Sequence, residues 1–316
     1  MGYNKVFRKL ILPIYFVVGP TSIGKSKLAI KLAKKFNGQI INADSMQVYK
    51  NLKVLTARPT TDEMKEIKHH LYGHVNGEER YNVARWCEEA SLIINNNIKK
   101  KITSIIVGGT GMYIDKLING LVDIPPIPEA YKKKSEKLFL KEGKEDFFKI
   151  VKSCDNESVK NINLNDINRL RRIWEVFAYT KIPMSNWIKN NQKKFLKNTD
   201  YILYLFLPDR KKNYHRVNDR FNRMIDEGVI KEVKELLKLE LNKSLPVMRA
   251  HGVPEIASYL TKKINLEECI EKSKQVTRNY VKRQHTWWAS NIVKNHQKFV
   301  EFPDEIDLNS INLKQN

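Results

Sequence analysis

The stretch Gly19-Pro20-Thr21-Ser22-Ile23-Gly24-Lys25-Ser26 matches the phosphate-loop pattern G-x-x-x-x-G-K-[ST] at every fixed position. It follows an apolar run at 14–18 that predicts a buried strand, and it precedes a helical pattern over 28–36. In such a unit, backbone N–H groups and the helix N-terminus face a bound anion. Lys25 would place a charge beside the terminal phosphate, and Ser26 could hold a Mg²⁺ ion. The motif predicts a phosphate chain without identifying the compound.

The composition indicates a protein with a sizeable core and a strong positive charge. The chain has 316 residues, of which 41% are apolar, and this length suggests about two domains. Lys and Arg number 57 against 35 Asp and Glu, which gives a net charge of +22. A pocket for one small anion needs few basic residues, so the excess favours a polyanionic partner. A Lys-rich solvated surface that reflects biased composition is the alternative.

Cysteine usage and hydropathy argue against several classes of protein. Cys87, Cys154 and Cys269 lie far apart and form no C-x-x-C pair, so they predict reduced cytoplasmic thiols and neither a zinc site nor a disulfide framework. No apolar segment is long enough to cross a membrane. The apolar run at 14–18 leads directly into the phosphate loop, which favours a core strand over a signal peptide.

The second and third predicted strands end on residues suited to a ligand site. The second, residues 39–44, ends on Asp44. Parallel α/β sheets bind ligands at the carboxyl ends of their strands, so we expect Asp44 in the same crevice as Lys25. A cap on the following turn is the alternative role for this acid. The third strand, residues 102–107, ends in Gly108-Gly109-Thr110-Gly111, where an ATPase usually carries a metal-binding acid. This ending argues against nucleotide hydrolysis.

Two stretches are predicted to lack regular structure. Residues 56–83 show no clear periodicity, and the tail after residue 297 is polar. His69, His70 and His74 lie in the first stretch. Because no further ligand pattern accompanies them, polar loop residues are favoured over a metal site.

An inserted helical domain is predicted after the third strand. A proline-rich break opens it, and the sequence then turns helical, polar and basic. One helix combines an apolar stripe over 167–177 with three arginines. The chain is therefore assigned a core of residues 1–122 and 200–316, and an insertion of residues 123–199.

A row of arginines follows a further predicted strand at 201–207. Arg216, Arg220 and Arg223 fall at i, i+4 and i+7 beside an apolar stripe. One arginine row on one helical face can clamp a phosphate in bidentate fashion. A solvated charged face is the alternative.

The last long helix also carries basic residues. Arg278, Lys282 and His285 share a face that aromatic residues flank, which fits contact with nucleic acid. Trp287 and Trp288, at the end of this helix, are interpreted as core residues.

The order of these motifs resembles one family, the tRNA dimethylallyltransferases or tRNA isopentenyltransferases. The resemblance spans residues 14 to about 290, and its segments are GPTSIGKS, INADSMQVY, VGGTGMY, NRLRRIWEVF, DRFNRM, RAHGVPE and TRNYVKRQHTWW. The pairing of Asp-Ser-Met-Gln after the second strand with Gly-Gly-Thr after the third is the most specific part. The resemblance implies an α/β fold with a P-loop NTPase-like parallel sheet core flanked by helices, and an inserted all-helical tRNA-binding domain.

The resemblance also implies a reaction. Members of this family transfer a dimethylallyl group from dimethylallyl diphosphate to N6 of the adenine 3′-adjacent to the anticodon, in tRNAs that read codons beginning with U, and release diphosphate. Their phosphate loop, often labelled an ATP site, binds the pyrophosphate with Mg²⁺. A cytoplasmic monomer with tRNA as its partner, no membrane association and no obligatory protein partner is therefore expected.

Site residues follow from the resemblance by position. Asp44 is implied as the general base, Thr110 as a wall of the channel where the substrates meet, and Arg220 as a contact of the pyrophosphate. Lys132 stands where the family has a catalytic Arg, and it lacks the bidentate fork. The implied tRNA contacts are Asp44, Ser45, Met46, Gln47, Asn168, Arg169, Leu170, Arg171, Arg172, Arg249, Ala250, His251, Gly252, Val253, Pro254, Arg278, Lys282, Arg283 and Gln284.

Other departures from the family pattern are local. The usual Gly-Thr-Ala-Lys-Pro reads Leu-Thr-Ala-Arg-Pro at 55–59, and the usual Gly-Tyr after the loop at 249 reads Gly252-Val253. The chain lacks the C-terminal Cys/His zinc finger of eukaryotic relatives, which indicates the bacterial type.

Two other functions fit parts of the sequence. A small-molecule phosphate-loop kinase can also carry an acid after its second strand, but this reading leaves the basic insertion without a role. An RNA-binding module with a vestigial nucleotide site is the non-enzymatic alternative. The intact Gly24-Lys25-Ser26 together with Asp44 argues against it.

Overall fold

The computed structural model describes residues 13–190, 192–196, 199–291 and 296–311. The chain forms two compact units. The larger unit comprises the described residues up to Ile118 and from Leu196 onward, and the smaller unit is Asn119–Phe195.

The strands of the described residues form two sheets. In the larger unit six parallel strands lie in the order β3-β2-β4-β1-β7-β8, and the smaller unit has an antiparallel pair, β5-β6. Their bounds are β1 Ile14–Val18, β2 Gly38–Asn42, β3 His69–His70, β4 Thr103–Gly108, β5 Leu121–Val122, β6 Gln192–Lys193, β7 Tyr201–Phe206 and β8 His296–Phe299.

The helices connect these strands. In chain order they are α1 Lys25–Lys35, α2 Thr61–Glu66, α3 Val83–Lys99, α4 Gly111–Asn119, α5 Glu129–Cys154, α6 Asn156–Val159, α7 Ile167–Thr180, α8 Met184–Asn190, α9 Arg210–Asp226, α10 Val229–Leu237, α11 Val253–Leu260 and α12 Leu266–Ser290. Short 3-10 turns occur at Pro246–Arg249, Pro303–Glu305 and Leu308–Ser310. The predicted α/β class with a parallel sheet is confirmed.

The core explains why the predicted strands form. Every residue of β1 is buried, as expected for a strand of a parallel sheet that is covered on both faces. Tyr15 and Val17 pack with Leu28 and Leu32 of α1 in the main hydrophobic cluster. The strand, the phosphate loop and α1 therefore form one unit at the centre of the sheet.

The prediction that residues 56–83 are irregular was wrong for two short segments, the helix Thr61–Glu66 and the strand His69–His70. The side chain of Thr60 caps α2 while Glu63 bonds back to the Thr60 amide, which is a capping box that the sequence signal T-x-x-E could have revealed. His69 and His70 form β3, which pairs with β2. His70 contacts the side chain of Gln39 at 2.7 Å, so the histidines take ordinary polar contacts.

The prediction of a loose tail after residue 297 was also wrong. β8 pairs with β7 in parallel, and Leu203 stands opposite His296. Beyond it, Phe302, Ile306 and Ile311 are buried in the same cluster as β1. The apolar residues of this segment are separated by polar ones, so the sequence has no hydrophobic periodicity that would predict their burial.

The smaller unit has a core of its own. Phe147 and Val151 of α5 pack with Leu170 and Ile173 of α7. Gly143, with a φ of 74°, kinks α5. The predicted helix over 167–177 is confirmed as α7, with one apolar face buried.

Two further sequence expectations concern the whole chain. No helix of the described residues is long and apolar enough to cross a membrane. Cys87, Cys154 and Cys269 are free thiols.

Candidate active site

The phosphate loop depends on two glycines with positive φ. A Cβ on Gly19, whose φ is 148°, would lie 2.3 Å from the carbonyl oxygen of Phe206. Gly24, whose φ is 90°, precedes the first residue of α1. Residues Thr21 to Ser26 line a cavity of about 500 Å³, which we call the phosphate cavity. Backbone conformation and helix position are those of an anion-binding loop.

Lys25 has a perturbed charge in this cavity. Burial lowers the pKa of its ammonium group to about 7; the carboxylate of Asp44 opposes this shift, and Arg220 adds to it. Nζ of Lys25 donates a hydrogen bond to the carbonyl oxygen of Pro20 at 2.5 Å. A bound anion would favour the charged form of Lys25, so phosphate binding and protonation are coupled here.

The arginine row of α9 divides into two functions. Arg220 lines the phosphate cavity, and burial lowers its pKa to about 10, with Asp44 opposing the shift and Arg223 adding to it. Arg216 also lines this cavity, but its guanidinium pairs with Asp304 at 2.7 Å and with Glu305. Arg220 and Arg223 therefore remain available to the predicted clamp, while Arg216 is bonded to the C-terminal segment.

Asp44 combines both roles that the sequence suggested. Its Oδ1 accepts hydrogen bonds from the amides of Met46 at 2.8 Å and Gln47 at 3.3 Å, which caps the turn after β2. None of the described residues donates to its Oδ2. Asp44 also lines the phosphate cavity with Lys25. One carboxylate oxygen therefore holds the turn, while the other is available to a ligand.

A second cavity, of about 410 Å³, adjoins the first. Thr21, Asp44 and Arg220 line both cavities, so the two meet at these residues. The remaining lining residues of the second cavity are Ser45, Met46, Leu55, Thr56, Arg80, Ser244, Pro246, Arg249, Ala250, His251, Thr277 and Tyr280. Its walls combine apolar and aromatic surface with cations.

Tyr280 is a cavity residue to which the sequence analysis assigned no role. Burial raises the pKa of its hydroxyl, and Asp44 contributes to the shift, while hydrogen bonds with Thr110 and Gln284 act in the opposite direction. The His251 ring lies 4.9 Å from the Tyr280 ring, centroid to centroid. Burial and Arg283 lower the pKa of His251, which favours the neutral imidazole. Two neighbouring planar groups therefore form part of the second cavity.

Thr110 and Gln284 form hydrogen bonds with residues that line this cavity or follow β4. The Thr110 hydroxyl oxygen accepts a hydrogen bond from the Ser45 amide at 3.1 Å. The Gln284 side chain accepts from the Thr21 amide at 2.9 Å and donates to the Gly109 carbonyl oxygen at 2.9 Å. It is 5% exposed. Gln284, predicted to contact tRNA, instead ties the phosphate loop to the end of β4.

The other predicted tRNA contacts of the larger unit fall into two groups. Ser45, Met46, Arg249, Ala250 and His251 line the second cavity, and Gln47 lines the phosphate cavity. The second group of predicted contacts lies outside these cavities. Gly252 and Val253 are buried, whereas Pro254, Lys282 and Arg283 are exposed. The Arg278 guanidinium donates hydrogen bonds to the side chains of Asn218 and Gln275. The Val253 side chain is 1% exposed and lies in the protein interior, which corrects the prediction of a side-chain contact with tRNA.

The smaller unit carries the remaining predicted contacts. Asn168 and Arg169 are exposed on α7, and burial lowers the pKa of Arg172. Leu170 belongs to the core of this unit, which corrects the prediction of a side-chain contact with tRNA. Within the same unit, Arg171 donates to the Ser135 hydroxyl at 3.0 Å, and Lys132 pairs with Glu129 at 3.0 Å.

The residues of the phosphate cavity suit a magnesium ion. Ser26 lines it together with carboxylates that include Asp44, Asp219 and Asp304. Mg²⁺ is usually held by one or two carboxylates plus phosphate oxygens. The described residues contain no cluster of three or more His, Cys, Asp or Glu side chains that could hold a metal ion without such a ligand. A hydroxyl and dispersed carboxylates therefore fit an ion that also takes oxygen ligands from a bound phosphate.

Fold and site together define a P-loop α/β protein in which a phosphate cavity joins a second, partly aromatic cavity at an acid. A family model for IPP transferase matches residues 47–291, and one for isopentenyl transferase matches residues 12–74. The chain belongs to the IPP transferase family.

Relatives and solved structures agree with this assignment. A tRNA dimethylallyltransferase of Pelagibacter ubique is 42% identical over 274 residues, 87% of each chain. One of Ehrlichia canis is 38% identical over 88% of this chain and 91% of that protein. A eukaryotic dimethylallyltransferase acting on tRNA superposes with a TM-score of 0.76 at 30% identity, over 88% of this chain and 70% of that one. A tRNA delta(2)-isopentenylpyrophosphate transferase of Staphylococcus epidermidis gives 0.64 at 31% identity, over 94% and 95%.

Proposed function

We propose that this protein transfers the dimethylallyl group of dimethylallyl diphosphate to N6 of the adenine 3′-adjacent to the anticodon, in tRNAs that read codons beginning with U. The observation that carries the proposal is the junction of the two cavities at Asp44. A diphosphate in the phosphate loop and a base in the second cavity would meet there. The names of the relatives, which describe dimethylallyl transfer to tRNA, support it.

The phosphate cavity suits the departure of a diphosphate. Negative charge builds on the bridging oxygen as the allylic C–O bond breaks. The loop amides, Lys25 and Arg220 are fixed in place before that charge develops, which is the most effective form of electrostatic stabilisation. A Mg²⁺ ion bound by Ser26 and a carboxylate of the cavity would neutralise further phosphate charge.

The second cavity suits a flipped adenine. The exocyclic amine is a weak nucleophile, because its lone pair is delocalised into the ring. Oδ2 of Asp44 can hold this amine and accept its proton as the C–N bond forms, and Thr110 supports the adjoining wall through Ser45. The Tyr280 and His251 rings offer planar surface to a base that has left its stack.

The rest of the molecule suits tRNA as the partner. A net charge of +22 fits a polyanion, and the anticodon stem-loop presents both phosphates and unstacked bases. Exposed Arg249, Lys282 and Arg283 in the larger unit and Arg169 in the smaller one are proposed contacts. Lys132 is proposed to replace the family arginine. We further propose a cytoplasmic monomer that needs no protein partner.

A small-molecule kinase is the second candidate, because the phosphate loop is intact. It would bind ATP in the loop and use Asp44 to activate an acceptor hydroxyl. The second cavity counts against this reading, because a phosphoryl acceptor needs no aromatic cavity rimmed by cations.

One experiment separates these functions. Purified protein and Mg²⁺ are mixed with unmodified tRNA and dimethylallyl diphosphate labelled in the prenyl group, and a parallel reaction contains γ-labelled ATP. We expect the prenyl label in tRNA, at one adenine, and no label from ATP. A tRNA with guanine at that position is the matched control and should stay unlabelled. Label from ATP, or tRNA binding without transfer, would overturn the proposal.

A further inference from the structure

Glu232 of α10 reaches a turn that is distant in sequence. Its Oε1 accepts hydrogen bonds from the amides of Lys53 at 2.6 Å and Val54 at 2.8 Å, and its Oε2 accepts one from the amide of Leu55 at 2.9 Å. Glu232 lines neither cavity. A single carboxylate thus satisfies three successive backbone donors.

Three consecutive N–H groups that converge on one anion form a backbone nest. Bonds from amides to a carboxylate are charge-assisted and about twice as strong as neutral ones. Within the turn, the Ala57 amide donates to the Val54 carbonyl oxygen at 2.9 Å and the Thr56 hydroxyl donates to that of Leu52 at 2.7 Å. The turn supplies these local bonds, and the Glu232 carboxylate fixes it to a helix.

Residues of this turn, which spans 52–57, line both cavities. Leu55 and Thr56 line the second cavity, and Ala57 lines the phosphate cavity. The side-chain amide of Gln47 donates to the carbonyl oxygens of Thr56 at 2.8 Å and Ala57 at 3.1 Å. The turn therefore also sets the position of Gln47, which follows Asp44 in the same capped segment.

We propose that Glu232 is a positioning residue for the acceptor substrate. It holds the 53–55 nest, and through that turn it places Leu55 and Thr56 around the base, while the bonds from Gln47 tie the turn to the segment that Asp44 caps. It leaves the phosphate loop untouched, because no residue of that loop bonds to the turn among the described contacts. This inference rests on the proposed transfer reaction.

The test uses Glu232→Gln in the full chain, with Glu235→Gln as the matched control. The substitution at 232 keeps the length of the side chain, but the new amide nitrogen cannot accept a hydrogen bond, so the nest loses an acceptor and its charge. Glu235 lies on the same helix and pairs only with Lys238 in the described contacts, at 2.8 Å. Steady-state transfer is measured with tRNA varied, and pyrophosphate binding is measured separately by calorimetry.

We expect kcat/KM for tRNA to fall on the order of tenfold in Glu232→Gln, the scale typical of residues that orient a binding group. Pyrophosphate affinity should fall by much less, because the turn borders the phosphate cavity only through Ala57 and Gln47 and, in the contacts that the structure describes, bonds to no residue of the phosphate loop. The Glu235→Gln kinetics should stay unchanged. In a double-mutant cycle with Gln47→Ala, the combined loss should be smaller than the product of the two single losses, because both act through one turn. If Glu232→Gln fails to fold, Glu232→Asp is measured by the same comparison.

Three results would overturn the inference while wild-type transfer proceeds: unchanged kinetics in Glu232→Gln, an equal fall in pyrophosphate affinity, or losses that multiply with those of Gln47→Ala. Absence of transfer by the wild-type protein would instead refute the proposed function itself.

Discussion

Asp44 caps a turn and is also the proposed general base. Its Oδ1 caps the turn of Met46 and Gln47, and the carboxylate also stands where the two cavities meet. The charge of Asp44 opposes the lowering of the pKa of Lys25 and Arg220. The observed cap and the proposed role as base can be separated experimentally, because an amide oxygen can accept the capping bonds but an amide cannot act as the base.

Asp44→Asn should therefore lower kcat by about 10²- to 10⁴-fold, the usual contribution of a general base, and leave the melting temperature nearly unchanged. Asp44→Ala should show the same loss of rate and also lose about 1 kcal/mol of stability, because the cap disappears. Single-turnover transfer and thermal unfolding measure both. An Asn variant with wild-type rates would show that Asp44 is not the base.

Lys25 makes diphosphate binding depend on pH. With a pKa of about 7, its ammonium group is mostly deprotonated in the free protein at about pH 8, and bound anion favours the charged form. Binding should then take up close to one proton at about pH 8. The proton uptake that Lys25 contributes should vanish at about pH 6, where the group is already charged. Calorimetry in buffers of different ionisation enthalpy measures this uptake. Lys25→Met corrects for titration of the ligand, and equal uptake in that variant would contradict the assignment.

At the scale of elements, the arginines of helix α9 have different surroundings. Arg220 faces both cavities, whereas the Arg216 guanidinium lies 3.6 Å from the centroid of the Phe302 ring and pairs with Asp304. A Cβ on Gly24 would lie 2.4 Å from Asp304 Cγ, so the C-terminal segment packs directly on the phosphate loop. Arg216 thus secures one wall of the phosphate cavity.

Arg216→Ala should loosen this wall. Loss of the stacking and the ion pair is expected to cost about 1 kcal/mol locally. Amide exchange of Glu305, whose N–H bonds the Phe302 carbonyl at 3.0 Å, should speed up. Arg220→Ala is the matched comparison: it should weaken diphosphate binding and leave that exchange rate unchanged. Slow exchange at Glu305 in Arg216→Ala would count against the anchoring role.

The long helix α12 has two different faces. Val281, Gln284 and Trp288 are buried in the interior of the larger unit, whereas Lys282 and Arg283 are exposed. Trp288, interpreted as a core residue, is 1% exposed, and Trp287 packs on Gly111, where a Cβ would lie 2.1 Å from its ring. The buried face of α12 therefore packs against the site, and its exposed face carries the cations that are proposed to contact tRNA.

At the scale of the whole molecule, the net charge of +22 predicts a difference between the two substrates. Each neutralised phosphate of single-stranded nucleic acid contributes about −0.7 to the slope of log K against log salt, so tRNA affinity should fall steeply with ionic strength. Diphosphate affinity should fall less. Filter binding of tRNA and calorimetry of pyrophosphate give the slopes, and Lys282→Gln, which removes one proposed phosphate contact, should reduce the tRNA slope by about 0.7. Equal slopes for both substrates would refute a broad phosphate footprint.

The sequence by itself determined the strand, phosphate loop and α1, and the place of Asp44 at the end of β2. These features depend on local patterns: an apolar run, two glycines at fixed spacing and an acid after a strand. Asp44, Lys25 and Arg220 could be named for this reason, and the structure brings them together.

Only the tertiary structure decided how these parts are joined. The meeting of the cavities, the anchoring of Arg216 by Asp304, the burial of Gln284 and the reach of Glu232 to the 53–55 turn all link residues far apart in the chain. No periodicity within a segment encodes such contacts, because they depend on which surfaces meet when the sheet and helices pack. β8 belongs to the same category, since its pairing partner, not its own composition, makes it a strand.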